Sequence, residues 1–312
     1  MITLSPRIYI IGAGAIGRSL AVILQNQRKE VTLVKVRPQA LGLNKEVISL
    51  TLPDASEMTA DVTVAGIGDI TDYTGIVLLT TKSYVNSAIA GLLKNKTGNS
   101  PLVILQNGLG VENVFLENSF PALYRCVLFA TAQETGINTV RFKPVTSSPI
   151  GVCKGQREEL EWIITQLNNP VFPFREEQEL EKVIWKKTIT NCVFNSICPL
   201  LETDNGIFHR NPAALTLATE LIEECLSIAR LKNISLTLSE ITDSLLLISR
   251  QADGQLISTY QDIQNGRPTE IETLNLEIAR QATALGMEAV VSRTHLLGEM
   301  IRLKSFISRA DK

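Results

Sequence analysis

Lys187, Asn191 and Asn195 recur at i, i+4 and i+8 within VIWKKTITNCVFNSICPLL, residues 183–201. A helix of that register puts the three side chains on one face. The rest of the stretch is largely apolar, and its only charges are Lys186 and Lys187. A solvated face would normally carry Glu, Lys or Arg, and Asn is a poorer helix former than these. The stripe therefore reads as a polar pocket on an otherwise buried helix. The competing reading is a solvated stripe, or an Asn bonding its own backbone. A lysine in such a pocket can polarise a carbonyl and donate a proton to the alkoxide that hydride addition leaves. Burial would lower its pKa toward working pH. The asparagine amides would orient the carboxylate and hydroxyl groups of a small acid.

A hydride needs a donor. The stretch IYIIGAGAIG, residues 8–17, places Gly12, Gly14 and Gly17 in G-x-G-x-x-G spacing between a strand and a helix. The first glycine permits the tight turn, the second lets the backbone approach a pyrophosphate, and the third allows close helix–strand packing. The anion then rests on the helix N-terminus. Gly12, Gly14, Ala15, Ile16 and Gly17 are thus the expected dinucleotide cradle. NAD sites place an acid about 20 residues on, at the end of the second strand. Here that place reads Val34-Lys35-Val36-Arg37, with no acid before Glu46. Lys35 or Arg37 would attract a 2′-phosphate, so NADP(H) is the expected cofactor, with the choice between the two cations open. Lys82 in LLTTKS and Asn107 in QNGLG stand at carboxyl ends of expected strands, where open α/β sheets bind ligands.

The elements that position these residues fall in two groups. Strands are expected at 7–11, 30–36, 60–66, 76–80, 102–105, 126–131, 140–144 and 148–152. A helix over 17–27 separates the first two, and such alternation implies a parallel sheet covered on both faces. Helical periodicity then dominates at 180–201, 213–232, 238–251, 269–285 and 292–308. Pro199 ends or kinks the first of these. The expected architecture is α/β, with an N-terminal Rossmann-type dinucleotide-binding domain over 1–178 and a C-terminal all-helical domain over 179–312. The cleft between the two is the expected site.

Bulk properties exclude several classes. The chain has 312 residues and a formal net charge of -2, which gives no electrostatic reason to expect a nucleic-acid partner. Residues 8–24 are mostly apolar, but three glycines and Arg18 interrupt them. No other stretch approaches the roughly 20 apolar residues of a membrane helix. The 5 cysteines form no C-x-x-C pair and their odd number argues against a disulfide framework, so a reduced, cytoplasmic protein is expected. With 2 histidines, His209 and His295, no metal site is expected. The sequence leaves oligomeric state open, with a homodimer as one assembly.

A last cluster, Ser258-Thr-Tyr-Gln-Asp262 followed by Asn265-Gly-Arg-Pro-Thr-Glu270, reads from spacing alone as a helix–turn–helix with Glu270 favourably placed on the helix dipole. Five patches in order resemble the ketopantoate reductase family over nearly the whole chain. They are the glycine loop, Lys82 in LLTTKS, Asn107 in QNGLG, Trp185-Lys-Lys187-x3-Asn191-x3-Asn195 followed by Asn205-Gly206, and Ser258-x3-Asp262-x3-Gly266-Arg267-x-Thr269-Glu270-Ile271. The resemblance implies NADPH-dependent reduction of 2-dehydropantoate to pantoate, on the route to pantothenate and coenzyme A. It implies Lys187 as the catalytic lysine, Glu270 as a functional glutamate and Lys82 as a cofactor contact. Asn107, Asn191, Asn195, Asn205 and Ser258 match substrate-contacting positions. Two departures stand out: the family's arginine lies about one residue before the place of Arg37, and residues 196–202 differ from its small-residue version. The rival readings are a reductase of another small 2-oxo acid, a β-hydroxyacid dehydrogenase, and a non-catalytic NADP-binding regulator. The second leaves the 258–270 segment unexplained and the third has no use for a buried lysine.

Overall fold

Alternate side chains of the first strand go to opposite sides of the sheet, and both sides are apolar. Ile8 and Ile10 join one core layer, while Tyr9 and Ile11 join another. A strand buried on both faces is the mark of a parallel sheet with helices on each side. The computed structural model describes residues 6–36 and 42–310. Its contacts divide the chain into two units, 1–106 with 111–180, and 107–110 with 181–312.

In the first unit the elements run β1 (Ile8–Ile11), α1 (Ala15–Asn26), β2 (Val31–Lys35), β3 (Asn44–Thr51), β4 (Glu57–Gly66), β5 (Ile76–Leu79), α2 (Asn86–Leu93), β6 (Leu102–Ile104), α3 (Asn113–Glu117), β7 (Leu123–Cys126), β8 (Ala130–Gly136), β9 (Thr139–Pro144), β10 (Ser148–Lys154), α4 (Arg157–Leu167) and β11 (Phe174–Glu176). The sheet order is β11-β10-β7-β6-β5-β1-β2-β4-β3-β9-β8. The central run from β7 to β4 is parallel, and β10 and β3 pair antiparallel to its two ends. Leu20 to Leu24 of α1 and Leu160, Ile163 and Leu167 of α4 pack on one layer. Ile89, Ala90 and Leu93 of α2 and Phe115 of α3 pack on the other. The single strand expected at 126–131 is two. β7 ends at Cys126, and Val127 and Phe129 donate their N–H groups to Pro149 O and Ser148 Oγ before β8 begins.

The second unit is helical: α5 (Leu180–Leu200, whose first residue belongs to the first unit), α6 (Ile207–Arg210), α7 (Pro212–Leu231), α8 (Leu238–Gln251), α9 (Ser258–Gln264), α10 (Asn275–Ala284) and α11 (Ser292–Ala310). The starts are set by side chains that satisfy otherwise unpaired first-turn N–H groups. Asn211 Oδ1 accepts from Ala213 and Ala214 ahead of α7, and Pro212 occupies its first position. Thr237 and Glu240 form a reciprocal capping box on α8. Buried Glu224 of α7 accepts from the N–H groups of Arg293 and Thr294, and so caps α11 from a distance in sequence. Pro199 sits in the last turn of α5, which stops one residue later. The continuous helix expected over 269–285 is instead a 3-10 turn (Ile271–Thr273), a break at Leu274 with φ -110° and ψ -111°, and then α10. The backbone of Thr273 is engaged elsewhere, as described below. Among the described residues no helix is long and apolar enough to cross a membrane.

Candidate active site

In the first unit the glycine loop joins β1 to α1. Gly12 has φ +118°, and a Cβ there would stand 2.8 Å from both Thr80 Oγ1 and Thr81 N. A Cβ on Gly17 would stand 1.9 Å from Gly12 O, whereas one on Gly14 would meet nothing within 4 Å. The loop is therefore packed against β5 below and open above at Gly14. Thr80 Oγ1 donates toward the carbonyls of Ile11 (3.1 Å) and Gly12 (2.9 Å), which latches the loop to the end of β5. No side chain caps α1 at Gly14, and no acid occupies its first turn, where Ala15, Ile16 and Gly17 lie. An open loop ahead of an uncapped 12-residue helix fits an anionic pyrophosphate.

Lys82 follows β5 in extended conformation and precedes a short 3-10 turn, Ser83–Val85. The amides of buried Gln106 and Asn86 donate to each other's oxygens at 2.7 and 2.8 Å, and Gln106 Nε2 also reaches Thr81 O at 3.0 Å. Arg125, fully buried and paired with Glu112, donates to Gln106 O at 3.3 Å. Those bonds fix the end of β6 against the turn after β5 that carries Lys82. At the end of β2, Lys35 forms an ion pair with Glu46 of β3. Glu46, the first acid after the second strand in sequence, thus stands beside the end of that strand. Arg37 lies outside the described residues.

In the second unit, Lys187 and Asn191 are half-buried on α5 and Asn195 is buried. Asn195 Nδ2 donates to Asn191 O (2.9 Å) within its own helix. Its Oδ1 accepts from Ser258 Oγ and Thr259 N, both at 3.4 Å. Asn195 thus bonds its own backbone, as the competing reading of the stripe has it, and also ties α5 to the start of α9. Lys186 turns toward Glu240, whose carboxyl is held below its ordinary range chiefly by the backbone N–H and hydroxyl of Thr237, with Lys182 and Lys186 adding to the effect.

Asn205 is buried in the turn between α5 and α6. Its N–H donates to Gln255 O (2.9 Å), and its carbonyl accepts from Ser249 Oγ (2.7 Å). Among the described residues its Oδ1 has no hydrogen-bond partner. Asp204 braces the turn by accepting from Gly206 N (2.7 Å), Gly254 N (3.3 Å) and Arg210 Nη2 (2.7 Å). Hydrogen bonds from Arg210 hold the Asp204 carboxyl below its ordinary value. Burial pushes the neighbouring Cys198 thiol up to about 12, and burial also raises Cys192, so neither offers a thiolate at neutral pH.

By its contacts Asn107 belongs to this helical unit. Leu109 N donates to Thr273 O (2.9 Å), and Thr273 Oγ1 donates to Asn107 O (3.3 Å). Gly108 has φ +96°, and a Cβ there would stand 2.4 Å from Thr273 O. Thr273 N in turn donates to the carbonyl of buried Glu270 (3.0 Å). The structure therefore brings together Asn107 with the turn that carries Glu270, and Asn195 with Ser258. Arg267 closes the link between α9 and that turn through Asp262, with Nε to Oδ1 at 2.9 Å. An apolar cluster of Ile263, Ile271, Leu276 and Ile301 packs beneath it.

Two family models match this chain. The "Ketopantoate reductase PanE/ApbA" model covers residues 8–151, and its "C terminal" counterpart covers residues 179–305. The chain belongs to the ketopantoate reductase family. It is 28% identical over 311 residues to a protein named 2-dehydropantoate 2-reductase from Pyrococcus horikoshii, covering 98% of this chain and 100% of that one. Its fold is also that of a dimeric ketopantoate reductase from Staphylococcus aureus, with a TM-score of 0.80 at 20% identity over 97% of this chain and 99% of the other. A D-mandelate dehydrogenase solved with NADH and anilino(oxo)acetate superposes with a TM-score of 0.84 at 19% identity, over the same shares of the two chains.

Sequence reasoning missed Thr80, Gln106 and Glu46. Thr80 and Gln106 each sit one or two residues from a residue singled out, and a polar side chain ending a buried strand was the available signal. Glu46 gave none, because the pairing of β3 with β4 is what carries it to Lys35.

Proposed function

We propose that this protein reduces 2-dehydropantoate to pantoate with NADPH as hydride donor. The observation that carries the reading is the bond from Ser258 to Asn195, which joins the lysine–asparagine helix to the segment leading to Glu270 across 63 residues of sequence. NADPH, when bound, supplies the hydride to C2 of the 2-oxo acid. Gly12, Gly14, Ala15, Ile16 and Gly17 would hold its pyrophosphate, Lys82 and Asn107 would contact it beyond the loop, and Lys35 or Arg37 would attract its 2′-phosphate. The Lys187 ammonium polarises the C2 carbonyl and gives its proton to that oxygen as the C–H bond forms; water then reprotonates the amine. Asn107, Asn191, Asn195, Asn205 and Ser258 orient the substrate's carboxylate and hydroxyl groups. The unpartnered Oδ1 of Asn205 supports an acceptor role there. Glu270 is the carboxylate that fixes a substrate hydroxyl. We place the protein in the cytoplasm, as a homodimer, on the route to pantothenate.

The alternative is reduction of another small 2-oxo acid, which the departure at residues 196–202 favours because that stretch continues directly from Asn195. The test is NADPH oxidation with a panel of 2-oxo acids at matched concentrations. Highest kcat/KM on 2-dehydropantoate supports the proposal. Highest kcat/KM on the 2-oxo acid corresponding to mandelate replaces it with the alternative. Absence of turnover on every member overturns both.

A further inference from the structure

The Lys35–Glu46 pair spans from the end of β2 to the third residue of β3, with β4 lying between those strands in the sheet. Its side chains are 23% and 25% exposed. Pairs with that much access to water contribute little to stability, so position is the more informative property. The carboxyl end of the second strand is where a dinucleotide-binding sheet meets the adenosine ribose. A carboxylate there accepts from the ribose hydroxyls of NAD, whereas a cation there meets the 2′-phosphate of NADP. This protein has both groups, already in contact.

We propose that Glu46 sets the cofactor choice of this site. As the internal counter-ion of Lys35, its carboxylate must give up that partner before a 2′-phosphate can use it. The same carboxylate would repel the phosphate that takes its place. A free 2′-hydroxyl, by contrast, can donate to Glu46 while the pair stays intact. The protein therefore accepts NADH as well as NADPH, with only a small advantage for NADPH, and loss of the carboxylate turns it into an NADPH-selective enzyme. The inference rests on the reading that the glycine loop binds a nicotinamide dinucleotide.

The test is titration of NADPH and NADH into the wild type, Glu46→Gln, Lys35→Met and the double variant at one ionic strength, followed by calorimetry. Melting curves confirm that each variant is folded, and the glutamine keeps the size of the side chain it replaces. In the wild type the two dissociation constants are expected to lie within about tenfold of each other. Glu46→Gln is expected to tighten NADPH about tenfold, the scale of one charge-assisted hydrogen bond, and to weaken NADH. Lys35→Met should weaken NADPH alone, and the gain from Glu46→Gln should shrink when Lys35 is absent. If both cofactors bind and Glu46→Gln leaves their ratio unchanged, the proposal is overturned while the dinucleotide reading stands. If neither cofactor binds the wild type, the dinucleotide reading falls and takes the proposal with it.

Discussion

Replacing Gly108 by alanine should separate substrate binding from cofactor binding. Two costs follow from the geometry. The backbone at φ +96° is one that an alanine adopts at roughly 1–3 kcal/mol. The added Cβ would also fall 2.4 Å from the carbonyl oxygen of Thr273, so the segment must move. Movement breaks the bonds between Leu109 N and Thr273 O and between Thr273 Oγ1 and Asn107 O, at roughly 0.5–1.5 kcal/mol each. The sum is roughly 2–6 kcal/mol against the docked segment. Where the segment undocks rather than drags the unit with it, that cost appears as lost alignment of Asn107. KM for 2-dehydropantoate should then rise by at least about tenfold, the equivalent of about 1.4 kcal/mol. The dissociation constant for NADPH should rise less than KM does, since only the Asn107 contact is disturbed while the glycine loop and its Thr80 latch lie in the other unit. Gly98→Ala is the control: its φ is +50°, and nothing stands within 4 Å of its added Cβ. Steady-state kinetics and cofactor titration on both variants decide the matter. Wild-type KM and melting temperature in Gly108→Ala would refute the argument that Asn107 is positioned through Thr273.

Two further outcomes follow from the same bonds. Thr80→Val removes the hydroxyl that latches the glycine loop and should weaken NADPH binding about fivefold, from a loss of about 1 kcal/mol; unchanged affinity in a titration would show that the latch is dispensable. Asp204→Asn should lower the melting temperature near neutral pH. Hydrogen bonds from Arg210 depress the folded-state pKa of Asp204 below its ordinary 3.8, so its contribution is present above that value and fades as pH falls through the depressed one. The gap between variant and wild type should therefore narrow progressively as melts are taken below the ordinary carboxylate value of 3.8, and a gap that does not shrink with falling pH would contradict the assignment.

The parts of the fold legible in the sequence were those with a local signature. β1, α1 and β2 follow from three glycines between β-branched runs, and α7, α8 and α11 from apolar spacing that survives with few interruptions. β3 was not legible because NKEVISLT alternates weakly: Val47 is exposed, and only Ile48 and Leu50 are buried. β11 is three residues long and gains its strand character by pairing with β10. The break at Leu274 was hidden because its cause, the loop of residues 107–110 bonded to Thr273, lies 166 residues away in sequence. The candidate site divides in the same way. The face shared by Lys187, Asn191 and Asn195 needs only helical periodicity. That Asn195 would spend its amide on Asn191 O and its carbonyl on Ser258 and Thr259 needs the placement of α9. Glu46 reaches Lys35 only after β3 has turned back along β4.

Proton supply by Lys187 is the step on which the proposed reduction turns. Lys187 lies on the face of Asn191 and Asn195, whereas Lys186 points about 100° away and toward Glu240. The most direct measurement is kcat for 2-dehydropantoate reduction by Lys187→Ala and Lys186→Ala, with the NADPH dissociation constant of each measured separately. A general acid contributes about 10²- to 10⁴-fold, so Lys187→Ala should lose kcat on that order while binding NADPH nearly as the wild type does, and Lys186→Ala should keep most of its activity. A crippled Lys186→Ala beside a Lys187→Ala near wild type would contradict both the choice of acid and the face of α5 assigned to the substrate.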